Sequence, residues 1–392
     1  MVPWGEGAPA KGRVGSFSPL RSDNGTMAHK SLEPKCIACI VGARPNFMKI
    51  APIIEELKRR QFEPRLIHTG QHFSAEMSEV FFHDLCLPEP DENLGIGSGT
   101  QSEQTAAVLL TLEQSFLRRR PDLIVVVGDV TSTLAAALVA AKMQIPLAHV
   151  EAGLRSFDRR MPEEINRIVT DSISDFLFVT EPSGVKNLRA EGISEERIFL
   201  VGNVMIDTLL RFRERASRSA IVEKLGLLPR SYVLATLHRP TNVNDPRQLR
   251  GMLGLLMNLA TRLPVVFPVH PRTRLAIEEA GLSIDGLILT EPLGYIDFLR
   301  LMTDARVVLT DSGGIQEETT ILNVPCLTVR ENTERPITIE CGTNRLVGAD
   351  PDKVLEAALA ALDGVEGAKQ PPQLWDGFAS RRIVDVLEER LV

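Results

Sequence analysis

Carboxylate and arginine side chains follow three predicted strands in the first half of the chain, at the points where those strands end. Arg44 follows the first strand in VGARPNFMK, where its guanidinium could hold a phosphate through two hydrogen bonds. Asp129 lies at a helix start in VGDVTSTLAAAL. Glu151 at a strand tip and Glu163 in a first helical turn both belong to HVEAGLRSFDRRMPEEINR. Three such carboxylates at one edge could transfer protons.

Histidines and a glutamine end other predicted strands. Gln71 and His72 close the stretch HTGQH after the second strand. In the second half of the chain His238 lies in LHRPTN, and His270 lies in VHPRTR. These side chains can donate hydrogen bonds to a ligand, and a histidine can also transfer a proton.

A glycine pair stands between a short apolar strand and a helix in RVVLTDSGGIQEET (306–319). Gly313 and Gly314 allow a ligand to approach the backbone, and the free N–H groups of the new helix favour an anion. Ser312 is a candidate N-cap that could turn its hydroxyl toward the same anion. Glu318 lies one helical turn after Gly314 on the same face, where it suits neutral hydroxyls such as a ribose diol rather than a phosphate.

Each of these residues, taken alone, has a structural alternative. Asp129 and Glu163 stand where acidic residues simply help a helix to begin, and either His238 or His270 could be a hydrogen-bonded structural histidine. The Gln-His pair could cap a turn, and the Ser-Gly-Gly stretch could be an ordinary strand-to-helix turn. Glu151 is harder to explain structurally, because it precedes Ala-Gly with no helix to cap. Their shared position at strand ends favours one site, since ligands of open parallel sheets collect there.

Alternating strands and helices position these residues and predict an α/β fold with parallel sheets covered by helices on both faces. In the first half the predicted strands lie near Cys36–Val41, Arg65–Thr69, Asp122–Val127, Pro146–Val150, Phe176–Thr180 and Arg197–Val201. In the second half they lie near Tyr232–Leu237, Val265–Val269, Leu287–Leu289, Arg306–Thr310 and Pro325–Val329. Helical patterns include Pro45–Arg60, Gln104–Arg118, Arg247–Arg262, Asp352–Leu362 and Phe378–Leu391.

The length of 392 residues predicts two such domains, both doubly wound and Rossmann-like, facing each other across a cleft. The first would span 36–203 and carry the carboxylates, and the second would span 204–371 and hold an anionic ligand. A last helix falls within 372–392. Residues 1–35, rich in Gly, Pro and Ser, are predicted to be a disordered extension, with Met27 a possible natural start.

Composition excludes several classes of function. A net charge of -7 with no long basic run argues against nucleic acid, and no apolar run reaches membrane-spanning length. Five scattered cysteines suit a reducing cytoplasm, and Cys36 and Cys39 are interpreted as packing residues of a strand. No His or Cys pair has a metal-ligand spacing, and neither G-x-G-x-x-G nor a Walker A loop occurs. We therefore expect no metal and no other cofactor.

Six ordered motifs make the chain resemble a known family. GARPNFMK, GD-x-T-S-T, HVEAGLRS, MPEEINR, VGN-x-x-ID and TDSGGIQEE, from about Cys36 to near the C-terminus, are similar to the non-hydrolysing UDP-N-acetylglucosamine 2-epimerases. The resemblance implies the glycosyltransferase-B architecture, with the final helix returning to the first domain. It also implies reversible epimerisation of UDP-N-acetylglucosamine at C2 through elimination of UDP, a 2-acetamidoglucal intermediate and re-addition.

The resemblance also implies roles for individual residues. Asp129, Glu151 and Glu163 would transfer or steer protons, and His238 would lie beside the leaving phosphate. The remaining implied positions bind the UDP-sugar, with the Ser-Gly-Gly turn at the phosphates, Glu318 at the ribose and one aromatic residue near the uracil. These binding positions are Arg44, Lys49, Gln71, His72, His270, Phe298, Ser312, Gly313, Gly314, Glu318 and Arg335.

Alternatives remain open within this interpretation. A 2-epimerase of a related UDP-diacetamido-uronic acid shares much of the pattern, and a UDP-sugar glycosyltransferase or a nucleotide-sugar sensor would also grip UDP. Phe298 could instead be a core residue of an amphipathic helix. Phe73-Ser74 stands where members with a regulatory substrate site carry Arg-Glu, so we expect no allosteric activation by substrate. A homodimer and a role in supplying mannosamine units for cell-surface polysaccharide are implied by the resemblance alone.

Overall fold

The structure is a computed structural model that describes residues 34–70, 82–97, 99–364 and 370–391. The predicted disordered extension falls almost wholly outside this part of the chain. Gln71 and His72 also lie outside it, and so does the side chain of Arg44, whose backbone begins the first helix. Predictions about these residues remain predictions.

A parallel sheet of seven described strands forms the first half of the fold, in the order β3-β2-β1-β4-β5-β6-β7. Its strands are β1 Cys36–Val41, β2 Glu63–His68, β3 Glu92–Asn93, β4 Leu123–Val127, β5 Leu147–Ala152, β6 Phe176–Val179 and β7 Ile198–Leu200. The helices that cover it are α1 Arg44–Arg59, α2 Gln101–Arg118, α3 Thr131–Met143, α4 Pro162–Ile173 and α5 Pro182–Ala190, with a short 3₁₀ turn at Glu195–Arg197. Every residue of β1 and β4 is buried, as expected for strands covered on both faces.

A second parallel sheet, of six described strands, has the order β10-β9-β8-β11-β12-β13. Its strands are β8 Val233–Thr236, β9 Val265–Pro268, β10 Ile288–Thr290, β11 Val307–Thr310, β12 Cys326–Thr328 and β13 Asn344–Leu346. Two helices, α6 Val204–Ser217 and α7 Ile221–Lys224, precede it. The later helices are α8 Pro240–Val243, α9 Pro246–Ala260, α10 Pro271–Glu279, α11 Tyr295–Asp304, α12 Gly313–Leu322, α13 Ile337–Glu340, α14 Pro351–Asp363 and α15 Ala379–Leu391.

Both sheets reverse their strand order at one point, and this arrangement confirms the predicted doubly wound architecture. The reversal lies between β1 and β4 in the first sheet and between β8 and β11 in the second. Crevices outside the carboxyl ends of strands at such points are where ligands of this architecture bind. Arg44 begins the helix after the first of these strands, and the loops after the other three carry Asp129, His238 and the stretch that begins with Asp311.

Helices α6 and α15 connect the halves. Helix α6 contacts α1 of the first half and both α11 and α12 of the second. Helix α15 packs on α1, and its buried face of Ile383, Val384 and Leu387 joins the core that α1 lines. Asp207 of α6 accepts hydrogen bonds from the N–H groups of Ala379 and Ser380 at 3.1 and 2.7 Å, which fixes the start of α15. The chain therefore returns to the first sheet at its end.

The predicted strands are all present, with ends that shift by no more than two residues. Two strands were not predicted, Glu92–Asn93 and Asn344–Leu346, because both are short, polar edge strands without an apolar run. Cys36 and Cys39 are buried in β1 and carry free thiols, as their interpretation as packing residues requires. Among the described helices none has the length and apolarity needed to cross a membrane.

Candidate active site

Glu151 occupies an irregular position at the carboxyl end of β5. The pairing of β5 with β6 skips it, because Val150 pairs with Phe178 and Ala152 pairs with Val179. Its φ of 75° lies in the left-handed region, where a residue with a Cβ is strained. A bulge of this kind redirects a side chain and is common next to active sites. The carboxylate is only 3% exposed.

Two cations from different halves of the fold hold the Glu151 carboxylate. Lys49 of α1 forms an ion pair with its Oε2, and Arg335 of the second half lies 2.6 Å from its Oε1 through Nη2. All three side chains are buried. An ionised carboxylate needs such partners when it leaves water. The Glu151–Arg335 contact also joins the two halves at the predicted cleft.

Asp129 belongs to the same cluster and is held by α4. Its carboxylate pairs with Arg167 Nη1, and its backbone carbonyl accepts a hydrogen bond from Asn166 Nδ2 at 2.8 Å. Burial opposes ionisation, yet the positive charges of Arg167, Lys49 and Arg335 lower the pKa of Asp129 below its ordinary value. Asp129 is therefore an anion at neutral pH.

Glu163 lies in the first turn of α4 and is half-buried. Its negative charge acts on the guanidinium of Arg239, in the loop after β8. The adjacent Glu164 has a structural role instead. It is buried, accepts hydrogen bonds from the backbone N–H groups of Ser156 and Phe157 at 2.9 and 3.0 Å, and pairs with Arg167 at 2.7 Å.

The loop after β1 is fixed by a residue that the sequence analysis did not select. Asn46 Oδ1 accepts the backbone N–H groups of Gly42 and Ala43 at 3.1 and 3.0 Å, and its Nδ2 donates to the Val127 carbonyl at 2.9 Å. This side chain ties the ends of β1 and β4 together at the point where the strand order reverses. Lys49 follows one turn later on the same helix.

On the second sheet, His238 is oriented by a buried carboxylate. Asp311 Oδ1 lies 2.7 Å from His238 Nδ1, while Oδ2 accepts the backbone N–H groups of His238 and Arg239 and the Nδ2 of Asn242 at 2.8 to 3.0 Å. Burial opposes its ionisation, but the hydrogen bonds from His238, Arg239 and Asn242 lower the pKa of Asp311 to about 2. The His238 side chain is 43% exposed, so its ring can meet a ligand.

A small cavity of about 150 Å³ opens beside His238. The rings of His238 and His270 lie 5.9 Å apart, and Phe298 lines the same cavity from α11. The other lining residues are Thr236, Leu237, Pro268, Pro292 and Leu293. His270 also caps α10, because its Nδ1 accepts the N–H of Arg272 at 3.2 Å. Phe298 is half-buried and packs against the core as well, so both interpretations offered for it agree with its position.

The turn before α12 has the predicted form. Ser312 occupies the N-cap position without making a capping hydrogen bond, so its hydroxyl is not used by the helix. A Cβ on Gly313 would lie 2.6 Å from Arg335 Nη1, whereas one on Gly314 would meet only Met205 at 3.6 Å. Gly313 is thus required by the close approach of Arg335, which is part of the cluster around Glu151.

Glu318 is buried one turn into α12, where it accepts a hydrogen bond from the Tyr295 hydroxyl at 2.8 Å. Burial raises the pKa of Glu318 to about 8, outweighing the opposing hydrogen bond from Tyr295. The carboxyl is therefore largely protonated at pH 7. Glu317 is also buried, and its Oε1 lies 2.8 Å from Arg335 Nε.

Glu334 completes the charged cluster. It pairs with Arg330 at 2.7 Å and with the neighbouring Arg335. Despite its burial, the charges of Arg335, Arg330 and Arg167 hold the pKa of Glu334 well below its ordinary value. Sequence analysis missed this residue, although it stands in the same TERP stretch as Arg335.

Comparison with known proteins places this geometry in context. The sequence model of the family described as UDP-N-acetylglucosamine 2-epimerase matches residues 55–388. A UDP-N-acetylglucosamine 2-epimerase of Methanocaldococcus jannaschii is 42% identical over 361 residues, which cover 90% of this chain and 98% of that protein. A UDP-2,3-diacetamido-2,3-dideoxy-D-glucuronate 2-epimerase of Pseudomonas aeruginosa is also 42% identical, over 357 residues that cover 90% and 99%.

A solved structure agrees with the fold as well. The crystal structure of the Methanocaldococcus jannaschii UDP-GlcNAc 2-epimerase in complex with UDP-GlcNAc and UDP matches with a TM-score of 0.85 and 42% identity, covering 90% of this chain and 99% of that one. Both relatives and this solved structure cover 90% of the chain. The chain therefore belongs to the non-hydrolysing UDP-N-acetylglucosamine 2-epimerase family.

Proposed function

We propose that this protein interconverts UDP-N-acetylglucosamine and UDP-N-acetylmannosamine at the strand ends of the two sheets. The observation that carries the proposal is the Glu151 carboxylate, which is redirected by a bulge and buried between Lys49 and Arg335. Asp129 joins it in the same charged cluster. Two carboxylates held by ion pairs at the ends of neighbouring strands suit proton transfer at a sugar carbon.

The proposed reaction breaks two bonds and restores them. The C2–H bond breaks, its electrons form the C1=C2 bond of a 2-acetamidoglucal, and the C1–oxygen electrons leave with UDP. The proton from C2 passes to a carboxylate of the first sheet. UDP then adds back at C1 while C2 receives a proton on its opposite face. The site must supply an acid or base on each side of C2 and stabilise the departing diphosphate.

The carboxylates proposed for proton transfer are Asp129, Glu151 and Glu163. Asp129 and Glu151 are fixed by ion pairs, whereas Glu163 is half-buried and faces the loop after β8. A fixed anion can accept the proton without reorganising, which favours catalysis.

The proposed UDP site lies at the second sheet. His238 would donate a hydrogen bond to the diphosphate as an imidazolium, because Asp311 takes the hydrogen bond of Nδ1 and Nε2 carries a hydrogen only in the charged ring. The Ser312 hydroxyl and the N–H groups at the start of α12 would donate hydrogen bonds to the phosphates, and the protonated Glu318 would meet the ribose hydroxyls. Phe298 and His270 would border the uracil from the small cavity. Arg44, Gln71 and His72 remain proposed ligands of the UDP-sugar.

A second candidate substrate deserves the same assay, because the diacetamido-glucuronate epimerase is as similar in sequence as the N-acetylglucosamine enzyme. A uronate brings an additional carboxylate at C6, which would require a cation in the sugar site. Lys49, Arg335 and Arg167 are each already paired with protein carboxylates. This charge balance favours the neutral sugar.

The test is to incubate the purified protein separately with the two UDP-sugars in D2O and follow the sugar protons by NMR. We expect the manno epimer from UDP-N-acetylglucosamine, with deuterium at C2 in both sugars, and a rate at least tenfold lower with the uronate. A faster reaction of the uronate would reverse the choice of substrate. Absence of epimer and of exchange with both would contradict the proposed function.

We also propose a homodimer, as the family resemblance implies, in a reducing cytoplasm that suits the free cysteines. Leu110 and Leu117 lie seven residues apart on α2 and are 63% and 73% exposed. The amino-terminal part of the same helix lines a groove of about 610 Å³ together with α3 and α4. We expect Leu110→Glu with Leu117→Glu to convert a dimer to a monomer in light scattering, and a wild-type monomer would contradict this proposal.

A further inference from the structure

A buried histidine and aspartate lie directly beneath the proposed catalytic carboxylates. His149 belongs to β5 and Asp171 to the last turn of α4, and both are fully buried. His149 Nδ1 lies 2.6 Å from Asp171 Oδ1, and Nε2 lies 2.8 Å from the carbonyl oxygen of Gly128. Neither side chain lies among the residues assigned above to proton transfer or to UDP binding.

The partners of these two side chains show which of their atoms donate and which accept hydrogen bonds. The Gly128 carbonyl can only accept, so His149 Nε2 carries a hydrogen. Asp171 Oδ2 accepts the Gly153 N–H at 3.1 Å and lies 2.7 Å from Arg155 Nη2, so this carboxylate is an acceptor on both oxygens. Burial opposes its charge, yet His149 and Arg155 lower the pKa of Asp171 below its ordinary value. The ring of His149 therefore bridges the Asp171 carboxylate and the Gly128 carbonyl.

The pair connects the two loops that carry the carboxylates. Gly128, whose carbonyl it holds, immediately precedes Asp129, and Gly153, whose N–H it holds, comes two residues after Glu151. Gly128, Glu151 and Gly153 have φ values of 69°, 75° and 80°. Such conformations persist only when surrounding contacts enforce them. The hydrogen bonds of His149 and Asp171 to Gly128 and Gly153 hold the two loops in these conformations.

Helix α4 fixes the same loops through a second set of contacts. Arg167 and Asn166 hold the side chain and the carbonyl of Asp129, and Asp171 lies four residues after Arg167 on the same helical face. Helix α4 and His149 therefore hold the backbones of both loops, while Lys49 and Arg335 hold the Glu151 carboxylate itself. Displacement of a reacting group by about 1 Å can slow catalysis a hundredfold.

We propose that His149 and Asp171 are positioning residues that hold Asp129 and Glu151 in register for epimerisation at C2. The inference rests on the proposed function for its assay. His149 and Asp171 do not touch the substrate, so they act on the chemical step and leave UDP binding to the second sheet unchanged.

Three conservative variants separate the two hydrogen bonds of the ring. His149→Asn keeps a donor near the position of Nδ1 and loses the bond to Gly128, whereas His149→Gln keeps a donor near Nε2 and loses Asp171. Asp171→Asn keeps the shape of the side chain, but only one of its two terminal atoms can accept a hydrogen bond. We expect kcat to fall about 10- to 100-fold in each variant, with KM within about threefold of wild type. Calorimetric titration with UDP measures the concentration of folded binding sites in each preparation. The rate is then divided by that concentration, so that kcat refers to folded protein only.

Ser115→Ala is the matched control. Ser115 is fully buried in α2 and bonds Arg65 and Glu92 at 2.9 and 2.6 Å, so it belongs to a comparable polar network near the amino end of β2. We expect it to lower the melting temperature while kcat per site stays within twofold of wild type.

Two other outcomes decide against the inference. Values of kcat per site within twofold of wild type in all three variants would overturn it, and so would losses of kcat no larger than that of the Ser115 control. Failure of the proposed function is distinguishable, because then the wild-type protein itself would epimerise neither UDP-sugar. A wild-type protein that is active beside unchanged variants would reject the positioning role alone.

Discussion

The two strand-end edges that face the cleft differ in the way their polar groups are held. At the first sheet, the carboxylates of Asp129, which is half-buried, and of Glu151, which is buried, form ion pairs with Arg167, Lys49 and Arg335. At the second sheet, Asp311 is a buried anion bound to His238 and to backbone N–H groups. The groups proposed to meet UDP are His238, which is partly exposed, Ser312, whose hydroxyl its helix does not use, and Glu318, whose buried carboxyl has a pKa raised to about 8.

This difference indicates that the two edges have different functions. Fixed anions in a charged cluster suit proton transfer at carbon, because they need not reorganise as the C2–H bond breaks. Side-chain hydrogen-bond donors and helix N–H groups suit a ligand that brings its own two or more negative charges. We infer that the first edge performs the chemistry and the second edge holds UDP, with Arg335 as the contact between them.

Removal of the Glu151 charge should give the largest effect. We expect Glu151→Gln to lower kcat/KM for UDP-N-acetylglucosamine by about a thousandfold or more, because the variant loses a proton-transfer group and leaves Lys49 and Arg335 unneutralised. The dissociation constant of UDP, measured by calorimetry, should change less than threefold. Glu56→Gln, at the far end of α1, is the control and should keep full activity. A thousandfold loss of UDP affinity in Glu151→Gln would contradict the assignment of chemistry to the first edge and of UDP binding to the second.

Replacement of His238 should have the next largest effect. We expect His238→Asn to lower kcat about a hundredfold, since a hydrogen bond to the departing diphosphate strengthens as charge develops there. Asp311 would keep its hydrogen bonds to the backbone N–H groups of the loop, so the turn should remain folded. Steady-state kinetics with both epimers would measure the change. A rise in KM with unchanged kcat would assign His238 to ground-state binding instead.

The aromatic border of the small cavity should affect binding rather than chemistry. Phe298→Ala should raise KM and the dissociation constant of UDP about tenfold, because stacking on a base contributes roughly 1–3 kcal/mol. Its kcat should stay within twofold of wild type. Phe199→Ala is a control of equal size, in a half-buried aromatic cluster on the first sheet. Unchanged affinity in Phe298→Ala would leave Phe298 as a core residue only.

The raised pKa of Glu318 predicts that stability depends on pH, which is the smallest of the four expected effects. Its pKa in the folded protein is about 8, raised from 4.5, so the folded state keeps a proton that the unfolded chain loses. Wild-type stability should therefore be fully retained below about pH 4.5 and decline as pH rises toward 8, by up to about 1.4 kcal/mol per pH unit. Denaturant unfolding of Glu318→Gln should lack this decline, whereas the exposed control Glu279→Gln should match wild type. Parallel pH profiles for Glu318→Gln and wild type would contradict the raised pKa.

The sequence was sufficient for the architecture and for the residues at strand ends. Parallel strands bring their carboxyl ends to one edge, so the topology alone brought Asp129 toward Glu151 and His238 toward Ser312. The family motifs added Lys49 and Arg335, whose places in the chain give no geometric reason to meet Glu151. The short strands Glu92–Asn93 and Asn344–Leu346 carried no apolar pattern and were missed.

The supporting residues could not be predicted, because their partners lie far along the chain. His149 stands within an apolar strand and Asp171 lies 22 residues later, so periodicity gives both only as buried positions. Asn46 and Asp311 stand inside motifs that were examined, yet their side chains bind backbone N–H groups, which no residue pattern reveals. The roles proposed for Arg44, Gln71 and His72 stay predictions, as do the domain boundaries at 203 and 371.

Exchange of the C2 hydrogen is the most direct test of the division between the edges. Glu151→Gln and Phe298→Ala would each be incubated in D2O with UDP-N-acetylglucosamine well above its KM, and deuterium at C2 would be followed by NMR. The account predicts exchange in Phe298→Ala at a rate within twofold of wild type and almost none in Glu151→Gln, although both proteins bind UDP. Exchange that persists in Glu151→Gln, or that disappears in Phe298→Ala at saturation, would contradict it.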